Sequence, residues 1–164
     1  MAEDMAVWLF TKINSNLKYI IFDTQEVNLL QYYYLKTLGL KVSIDYNKNS
    51  QIFLVSNIKS LKKILKKIKS KKENNLLVAN WSLSEIPLHY RKKIGFLFNY
   101  FSYLFISFQE KFENINNVIY FERLKNKILR KKLLVKIKPI KTMDKINLFN
   151  QNKHFYFFCK KIYE

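Results

Sequence analysis

Positive charge is the feature that most constrains what this chain can fold into. Thirty Lys and Arg residues stand against twelve Asp and Glu residues, which gives a formal net charge of +18 over 164 residues. A compact chain with this charge repels itself unless a polyanion neutralises it, and the candidate polyanions are nucleic acid and anionic membrane surfaces. Since 49% of the residues are hydrophobic, there is enough apolar material to form the core of one domain or two small ones.

The remaining composition indicates an organellar origin. Lys, Asn, Ile, Phe and Tyr, all with AT-rich codons, are abundant, whereas there are only two Gly and two Pro residues. Cys159 is the only cysteine, so an intrachain disulfide is impossible and a cysteine-based metal site is disfavoured. Residues 1–5 include two acidic residues and no Arg, which argues against a secretory signal or a transit peptide. We therefore expect synthesis inside the organelle.

Catalytic chemistry is not expected. A glycine-rich phosphate loop cannot be built from Gly39 and Gly95 alone, and His89 and His154 lie far apart without a metal-ligand pattern. The Asp residues form no close pair of the kind that a metal-dependent nuclease requires. We therefore expect no enzyme, no catalytic residue, no metal, no cofactor and no small-molecule substrate.

The first third of the chain predicts the order helix, strand, helix, strand, strand, over residues 4–15, 19–22, 23–38, 40–46 and 51–55. Asp23 and Glu26 have the spacing of a capping box, and Gly39 is suited to close the helix in a left-handed conformation. The last two strands are predicted to form a hairpin around the turn cluster 47–50.

The middle of the chain predicts helices. Residues 58–72 place apolar side chains on one helical face and lysines on the other, which fits either a solvated surface helix or a helix that tracks phosphates. Residues 96–108 have apolar residues at helical spacing, which favours a buried helix over one lying on a membrane surface. A short helix is expected at 82–86, before Pro87.

The last third predicts strands at 118–121, 133–137 and 154–158, with a short helix or turn at 142–149. Basic residues fill the stretch between the first two of these strands. Lysines and arginines interleaved with aromatic residues are typical of RNA-binding proteins, in which cations neutralise phosphates and aromatic rings stack on unpaired bases.

Several short strings match, in the right order, segments of one known protein family. Leu9–Ser15 (LFTKINS) is similar to the opening helix of the family, and Leu35–Leu40 is similar to the end of its second helix. Val118–Leu124 is similar to its strand V-I-E-S-I-E-R-V, and Thr142–Lys145 is similar to its M-T-D-K string. Phe155–Cys159 resembles its closing strand, with Cys159 at the family's cysteine. By these strings the chain resembles the family of small-subunit ribosomal protein eight.

The chain also departs from that family. The S-T-S-K-G loop of the family, which contacts RNA, is Lys136–Ile140 here and has no Ser, Thr or Gly. An RNA contact at this place is therefore expected to use cation–phosphate pairing, which positions RNA but reads little sequence. The family's terminal Gly pair is His154-Phe155, and residues 58–116 have no counterpart in the family.

The resemblance implies an α+β fold of two small α/β modules with a helical insertion. The N-terminal module would contain residues 1–57 plus 117–126, the insertion residues 58–116, and the β-rich RNA-binding C-terminal module residues 127–164. The insertion is expected to contact another protein or ribosomal RNA. Deletion of residues 58–116 is therefore expected to leave the core fold intact.

The implied function is that of a structural constituent of the small ribosomal subunit in the mitochondrial matrix. The chain would bind the central domain of the small-subunit ribosomal RNA and neighbouring ribosomal proteins, and would support assembly and translation. The implied RNA-binding residues are Thr11, Lys12, Asn14, Arg123, Lys125, Lys127, Arg130, Lys131, Lys132, Lys136, Lys138, Lys141 and Thr142. Each of them also fits a solvated surface position. Two alternatives are a generic organellar nucleic-acid-binding protein and an accessory basic subunit of an organellar membrane complex.

Overall fold

The computed structural model of the chain describes residue 14 and residues 16–67, 75–129, 133–140 and 153–161. These residues form β1 (Tyr19–Phe22), α1 (Gln25–Thr37), β2 (Val42–Ile44), β3 (Ile52–Val55), α2 (Ile58–Lys67), β4 (Leu76–Asn80), α3 (Leu88–Ile94), α4 (Leu97–Tyr100), β5 (Tyr103–Gln109), β6 (Lys111–Phe112), β7 (Ile115–Asn116), α5 (Asn117–Leu129), β8 (Leu133–Pro139) and β9 (His154–Lys161). The fold is α+β, as the sequence predicts. The chain divides into a first unit, Met1–Lys69, and a second unit, Ser70–Glu164.

The first unit contains a three-stranded parallel sheet in the order β1-β3-β2. The central strand β3 is a continuous apolar run whose four side chains are all buried, as expected for a strand covered on both faces. Ile52 and Leu54 pack in one cluster with Leu35 of α1. Phe53 stacks on Tyr46, with ring centroids 5.6 Å apart.

The predicted hairpin between β2 and β3 is wrong, because the two strands are parallel. Val42 pairs with Ile52 and Ile44 with Leu54, so residues 45–51 return the chain to the starting end of β2. The predicted turn is present, since the backbone N–H of Ser50 donates to the carbonyl oxygen of Asn47 at 3.0 Å. An alternating pattern has the same period in parallel and antiparallel strands, so it does not reveal strand direction.

Helix α1 begins one residue later than the capping-box pattern predicts. The N-cap is Thr24, whose Oγ1 accepts a hydrogen bond from the backbone N–H of Val27 at 3.4 Å. The Asp23 carboxylate instead accepts from the backbone N–H of Thr24 at 2.7 Å. Asp23 therefore orients the cap rather than forming it.

The predicted end of α1 at Gly39 is confirmed. Gly39 has a φ of +74°, a backbone conformation that residues with a Cβ adopt only with strain. Its N–H donates to the carbonyl oxygen of Lys36 at 2.9 Å, and the N–H of Leu40 donates to that of Leu35 at 3.2 Å. This pair of bonds is a Schellman motif, and Leu40 and Leu35 are both buried in the same cluster.

The second unit contains a four-stranded sheet in the order β4-β5-β9-β8, in which β4 and β5 are parallel and the other pairs antiparallel. Its two central strands come from residues 103–109 and 154–161. The compact units therefore do not follow the predicted boundaries. The predicted insertion 58–116 supplies α2 to the first unit and both β4 and β5 to the second.

The predicted helix over residues 96–108 is also wrong. A single helical turn, Leu97–Tyr100, precedes strand β5, in which every second side chain from Leu104 to Phe108 is buried. An apolar run of this length fits a helix or a strand equally well until its partners are known. Among the described helices, none has the length and apolarity needed to cross a membrane. Residues 82–86 form a turn, and α3 begins after Pro87.

The predicted strand at 118–121 is instead the first turn of helix α5. The Asn116 Oδ1 accepts from the backbone N–H of Ile119 at 3.0 Å, which caps the helix. Phe121 and Ile128 are buried at helical spacing. The predicted strands 133–137 and 154–158 are confirmed as β8 and β9. The predictions for residues 4–13 and 142–149 lie outside the described residues.

Candidate nucleic-acid interface

The four-stranded sheet has an inner and an outer face because successive side chains of a strand point to opposite sides. On the inner face, Leu104, Ile106 and Phe108 of β5 are 1%, 0% and 0% exposed. Helix α5 packs on this face through Phe121, whose ring centroid lies 4.2 Å from that of Phe108 and 6.0 Å from that of Phe157. The inner face is therefore the core of the second unit.

The strand register defines the outer face. Its residues are Leu76, Val78 and Asn80 on β4, Tyr103, Phe105, Ser107 and Gln109 on β5, His154, Tyr156, Phe158 and Lys160 on β9, and Lys136 and Lys138 on β8. Large apolar groups on this face reach solvent, since Leu76 is 53% exposed, Val78 52% and Phe105 38%. Contiguous exposed apolar side chains on a folded protein mark a binding surface.

Aromatic rings occupy the two central strands of the outer face. Phe105 pairs directly with Phe158 across β5 and β9, and Ser107 pairs with Tyr156. The rings of Phe105 and Tyr156 lie nearly parallel, with centroids 6.4 Å apart and an interplanar angle of 24°. Tyr103, Tyr156 and Phe158 are all half-buried, so part of each ring faces outward.

Three lysines are placed beside these rings. Lys136 lies opposite Phe158, Lys138 opposite Tyr156, and Lys160 opposite Tyr103. All three side chains are exposed, and the Lys160 ammonium lies 5.9 Å from the centroid of the Tyr103 ring. None of the outer-face residues is acidic, so the face carries three positive charges and no compensating carboxylate of its own.

The structure separates the residues that the resemblance implied. Lys136 and Lys138 lie on the outer face. Arg123, Lys125 and Lys127 lie on α5, which packs against the inner face, so these two groups lie on opposite sides of the sheet. Arg123 and Lys127 are exposed, whereas the half-buried Lys125 pairs with the Glu122 carboxylate at 3.3 Å.

Asn14 belongs to the first unit. It is exposed, and its Oδ1 accepts from the backbone N–H of Asn16 at 3.0 Å. The other implied residues, Thr11, Lys12, Arg130, Lys131, Lys132, Lys141 and Thr142, lie outside the described part of the chain. Of the implied residues that the structure describes, only Lys136 and Lys138 lie on the outer face, opposite the half-buried rings of Phe158 and Tyr156.

The sequence prediction missed the aromatic members of the outer face. Residues 103–109 alternate, and so do residues 155–159, in which Phe157 and Cys159 are buried and Tyr156 and Phe158 face outward. Reading both segments with a period of two would have identified a sheet with one aromatic, basic face. The helical interpretation of residues 96–108 concealed it.

A second basic surface lies on α2 of the first unit. Leu61, Ile64 and Leu65 are buried, which confirms the predicted two-faced helix. The lysines of the opposite face, all exposed, are Lys59, Lys62, Lys63, Lys66 and Lys67. The Lys67 ammonium lies 4.5 Å from the centroid of the Tyr46 ring. This helix has no acidic residue, so the i,i+4 repulsion between its lysines is relieved best by an external anion.

No family model matches this chain, and a search of curated proteins finds no match. Among the described residues, no three His, Cys, Asp or Glu side chains are grouped so that they could hold a metal ion. The function must therefore be inferred from the charge of the chain and from the surfaces just described.

Proposed function

We propose that this chain is an RNA-binding structural protein of the small ribosomal subunit of an organelle, the mitochondrion. The observation that carries the proposal is the outer face of the second unit. There, Lys136 and Lys138 are both exposed on β8 next to aromatic rings, and none of the described residues of that face is acidic. In a chain of net charge +18, such a surface is complementary to a phosphate backbone.

Counterion release supplies the binding free energy in this proposal. Each phosphate that a lysine neutralises frees a condensed cation, so RNA affinity falls steeply as the salt concentration rises. The exposed lysines of α2 add a second cationic surface in the first unit. The role is one of scaffolding: the protein neutralises and orients ribosomal RNA and contacts neighbouring ribosomal proteins.

The ribosomal part of the proposal depends on the resemblance to small-subunit ribosomal protein eight. In its favour, Leu35–Leu40 stands at the end of a helix that Gly39 closes, and Phe155–Cys159 stands on the closing strand. Against it, Val118–Leu124 is helical where the family has a strand, and β2 and β3 do not form a hairpin. The RNA-binding role is the broader proposal and does not depend on these strings.

The membrane alternative places residues 95–108 at the lipid surface and the lysines on anionic headgroups. That segment contains strand β5, whose apolar side chains Leu104, Ile106 and Phe108 form the core of the second unit and cannot contact lipid. We therefore favour RNA as the polyanion that this chain binds.

The test is ultraviolet crosslinking of the full chain in intact organelles, followed by sequencing of the attached RNA. We expect small-subunit ribosomal RNA, and sedimentation of the protein with small-subunit particles at low salt. Enrichment of other RNA would disprove ribosomal membership but not RNA binding. Absence of crosslinked RNA, with extraction only by detergent, would disprove both.

A double variant, Lys136→Glu with Lys138→Glu, tests whether the outer face binds the RNA. We expect this variant to lose most of its crosslinked RNA. The control, Lys48→Glu with Lys111→Glu, makes the same change of net charge at two other exposed lysines and is expected to lose much less. Equal losses from the two variants would mean that net charge, and not the outer face, determines binding.

A further inference from the structure

We propose that the outer face of the second unit binds an unpaired RNA strand, with bases stacked on Phe105 and Tyr156 and phosphates held by Lys136 and Lys138. This inference rests on the proposed RNA-binding function and narrows the ligand from RNA in general to single-stranded RNA. It assigns the binding role to aromatic residues of the central strands β5 and β9.

Partly exposed aromatic rings distinguish this surface from one that only attracts charge. Phe105 is 38% exposed although its neighbours Leu104 and Ile106 are buried, so its ring is held in place by the strand while part of it stays in solvent. The Tyr156 ring lies nearly parallel to it, with centroids 6.4 Å apart. Rigid rings of this kind stack on bases of any sequence, because every base has a π-face.

Two of the three outer-face lysines lie on one side of this aromatic platform, and the third, Lys160, lies on β9 itself. Lys136 and Lys138 are on the edge strand β8, and each is paired across to a ring on β9, Phe158 and Tyr156 respectively. A nucleotide likewise carries its charge on one side and its flat base on the other. An RNA strand running along β8 would place phosphates at the lysines and direct its bases across β9 and β5.

The far side of the platform is neutral. Leu76 and Val78 of β4 provide apolar surface, and the Ser107 hydroxyl donates to the Asn80 Oδ1 at 3.3 Å, which forms a polar pair that base edges can approach. A duplex cannot use such a surface because its bases are stacked inside the helix, and A-form RNA presents its backbone and 2′-hydroxyl groups instead. The surface therefore suits unpaired nucleotides.

Other occupants fit the face less well. An anionic membrane would engage the three lysines, but Phe105, Tyr156 and Phe158 are seated in the sheet and do not form a protruding loop or helix that could enter a bilayer. A protein partner would have to supply carboxylates opposite Lys136, Lys138 and Lys160 as well as an apolar surface. Every nucleotide of RNA carries both a phosphate anion and an aromatic base.

The experiment measures binding of the full-length protein to two fluorescent RNAs of equal length, an unpaired oligouridylate and a perfect duplex. We expect the unpaired RNA to bind at least about tenfold more tightly. Phe105→Ala and Tyr156→Ala should each weaken that binding by about tenfold or more, the usual loss when a stacking ring is removed, and leave duplex binding nearly unchanged. Tyr90→Ala, which removes an exposed ring from α3, is the matched control and should bind as wild type.

Salt dependence separates the two kinds of contact. Lys136→Ala with Lys138→Ala should reduce the slope of log affinity against log salt by about 1.4 for the unpaired strand, since each phosphate contact contributes about 0.7. Phe105→Leu keeps an apolar side chain but removes the π-face, so it should lose affinity for unpaired RNA with an unchanged slope and unchanged thermal unfolding. That variant keeps the test valid if an alanine variant fails to fold.

Each alternative outcome is distinguishable. The stacking inference would be overturned if both RNAs bound with equal affinity, the lysine variants bound RNA more weakly and the aromatic variants bound it as wild type does. The RNA-binding proposal would then still stand. Failure to bind either RNA would overturn both. Binding to anionic phospholipid vesicles, or to an acidic ribosomal protein through the same residues, without affinity for the unpaired strand, would also overturn the inference.

Discussion

The guanidinium of Arg91 donates a hydrogen bond of 2.8 Å from Nη1 to the side-chain oxygen of Asn117, and both residues are buried, at 1% and 0% exposure. Arg91 also donates to the carbonyl oxygens of Ile86 and Ser84, each at 2.8 Å. Asn117 in turn donates to the carbonyl oxygen of Gln109 at 2.9 Å. This pair ties the turn after β4 and the end of β5 to the first residue of α5, and so positions the helix under the sheet.

Replacing Arg91 with Met is expected to lower the free energy of unfolding by about 3 kcal/mol or more, since the buried oxygens of Ser84 and Asn117 and the part-buried carbonyl oxygen of Ile86 each lose a hydrogen bond from the guanidinium. Arg91→Lys should not restore stability, because an ammonium cannot reproduce the planar fork. Urea denaturation measures both. Lys92→Met at the exposed neighbouring position is the control and should change stability by about 0.5 kcal/mol or less. A similar small change for Arg91→Met would show that the buried network is not formed.

Alkaline pH is expected to destabilise the second unit through Tyr120. Burial raises the pKa of the Tyr120 phenol, an effect that the positive charge of Arg91 partly opposes. In the unfolded chain a tyrosine ionises near pH 10, about its ordinary pKa. Above that pH the unfolded state therefore releases a proton that the folded state retains, and the free energy of unfolding falls as pH rises.

The measurement is the unfolding free energy between pH 8 and about 11 for wild type and Tyr120→Phe. The wild-type value should fall more steeply above pH 10 than that of the variant, and the two slopes should agree below pH 9. Parallel curves across the whole range would mean that the phenol is no harder to ionise in the folded chain.

Adjacent phenylalanines on β9 test the assignment of the two faces. Phe157 is 0% exposed on the inner face, whereas Phe158 is half-buried on the outer face. Phe157→Ala should cost about 3–5 kcal/mol of stability, and Phe158→Ala about 1 kcal/mol. The order should reverse for affinity to unpaired RNA. If Phe158→Ala destabilised the protein more, the register of β9 would be shifted by one residue.

Deleting residues 58–116 is expected to abolish cooperative unfolding of the second unit. The deletion removes β4 and β5, and with them the buried Leu104, Ile106 and Phe108 that α5 packs against. Without them Phe121 and Phe157 would be exposed to water. Amide hydrogen exchange of α5 in the truncated chain decides the matter. Protection of residues 117–129 at the level of the full chain would mean that residues 58–116 are an insertion that the second unit does not need.

Some elements could be predicted from sequence because their signals are local. The end of α1 follows from Gly39, the residue that most readily adopts a positive φ, and the two faces of α2 follow from leucine and lysine spacing within one segment. Strands β1, β8 and β9 are short β-rich runs bounded by polar or breaking residues. The excess of positive charge likewise required no fold to be recognised.

Tertiary structure decided what these local signals leave open. Residues 103–109 are a strand because β4 and β9 flank them and α5 covers one face, and residues 117–129 are a helix because Asn116 caps them and Phe121 packs on that face. Strand direction in the first unit, and which aromatic rings of the second unit remain in solvent, depend in the same way on neighbours distant in sequence. Hydrophobic burial and hydrogen bonding between such neighbours outweigh intrinsic propensity, so composition determined the excess of positive charge, and only packing determined which face combines lysines with partly exposed aromatic rings.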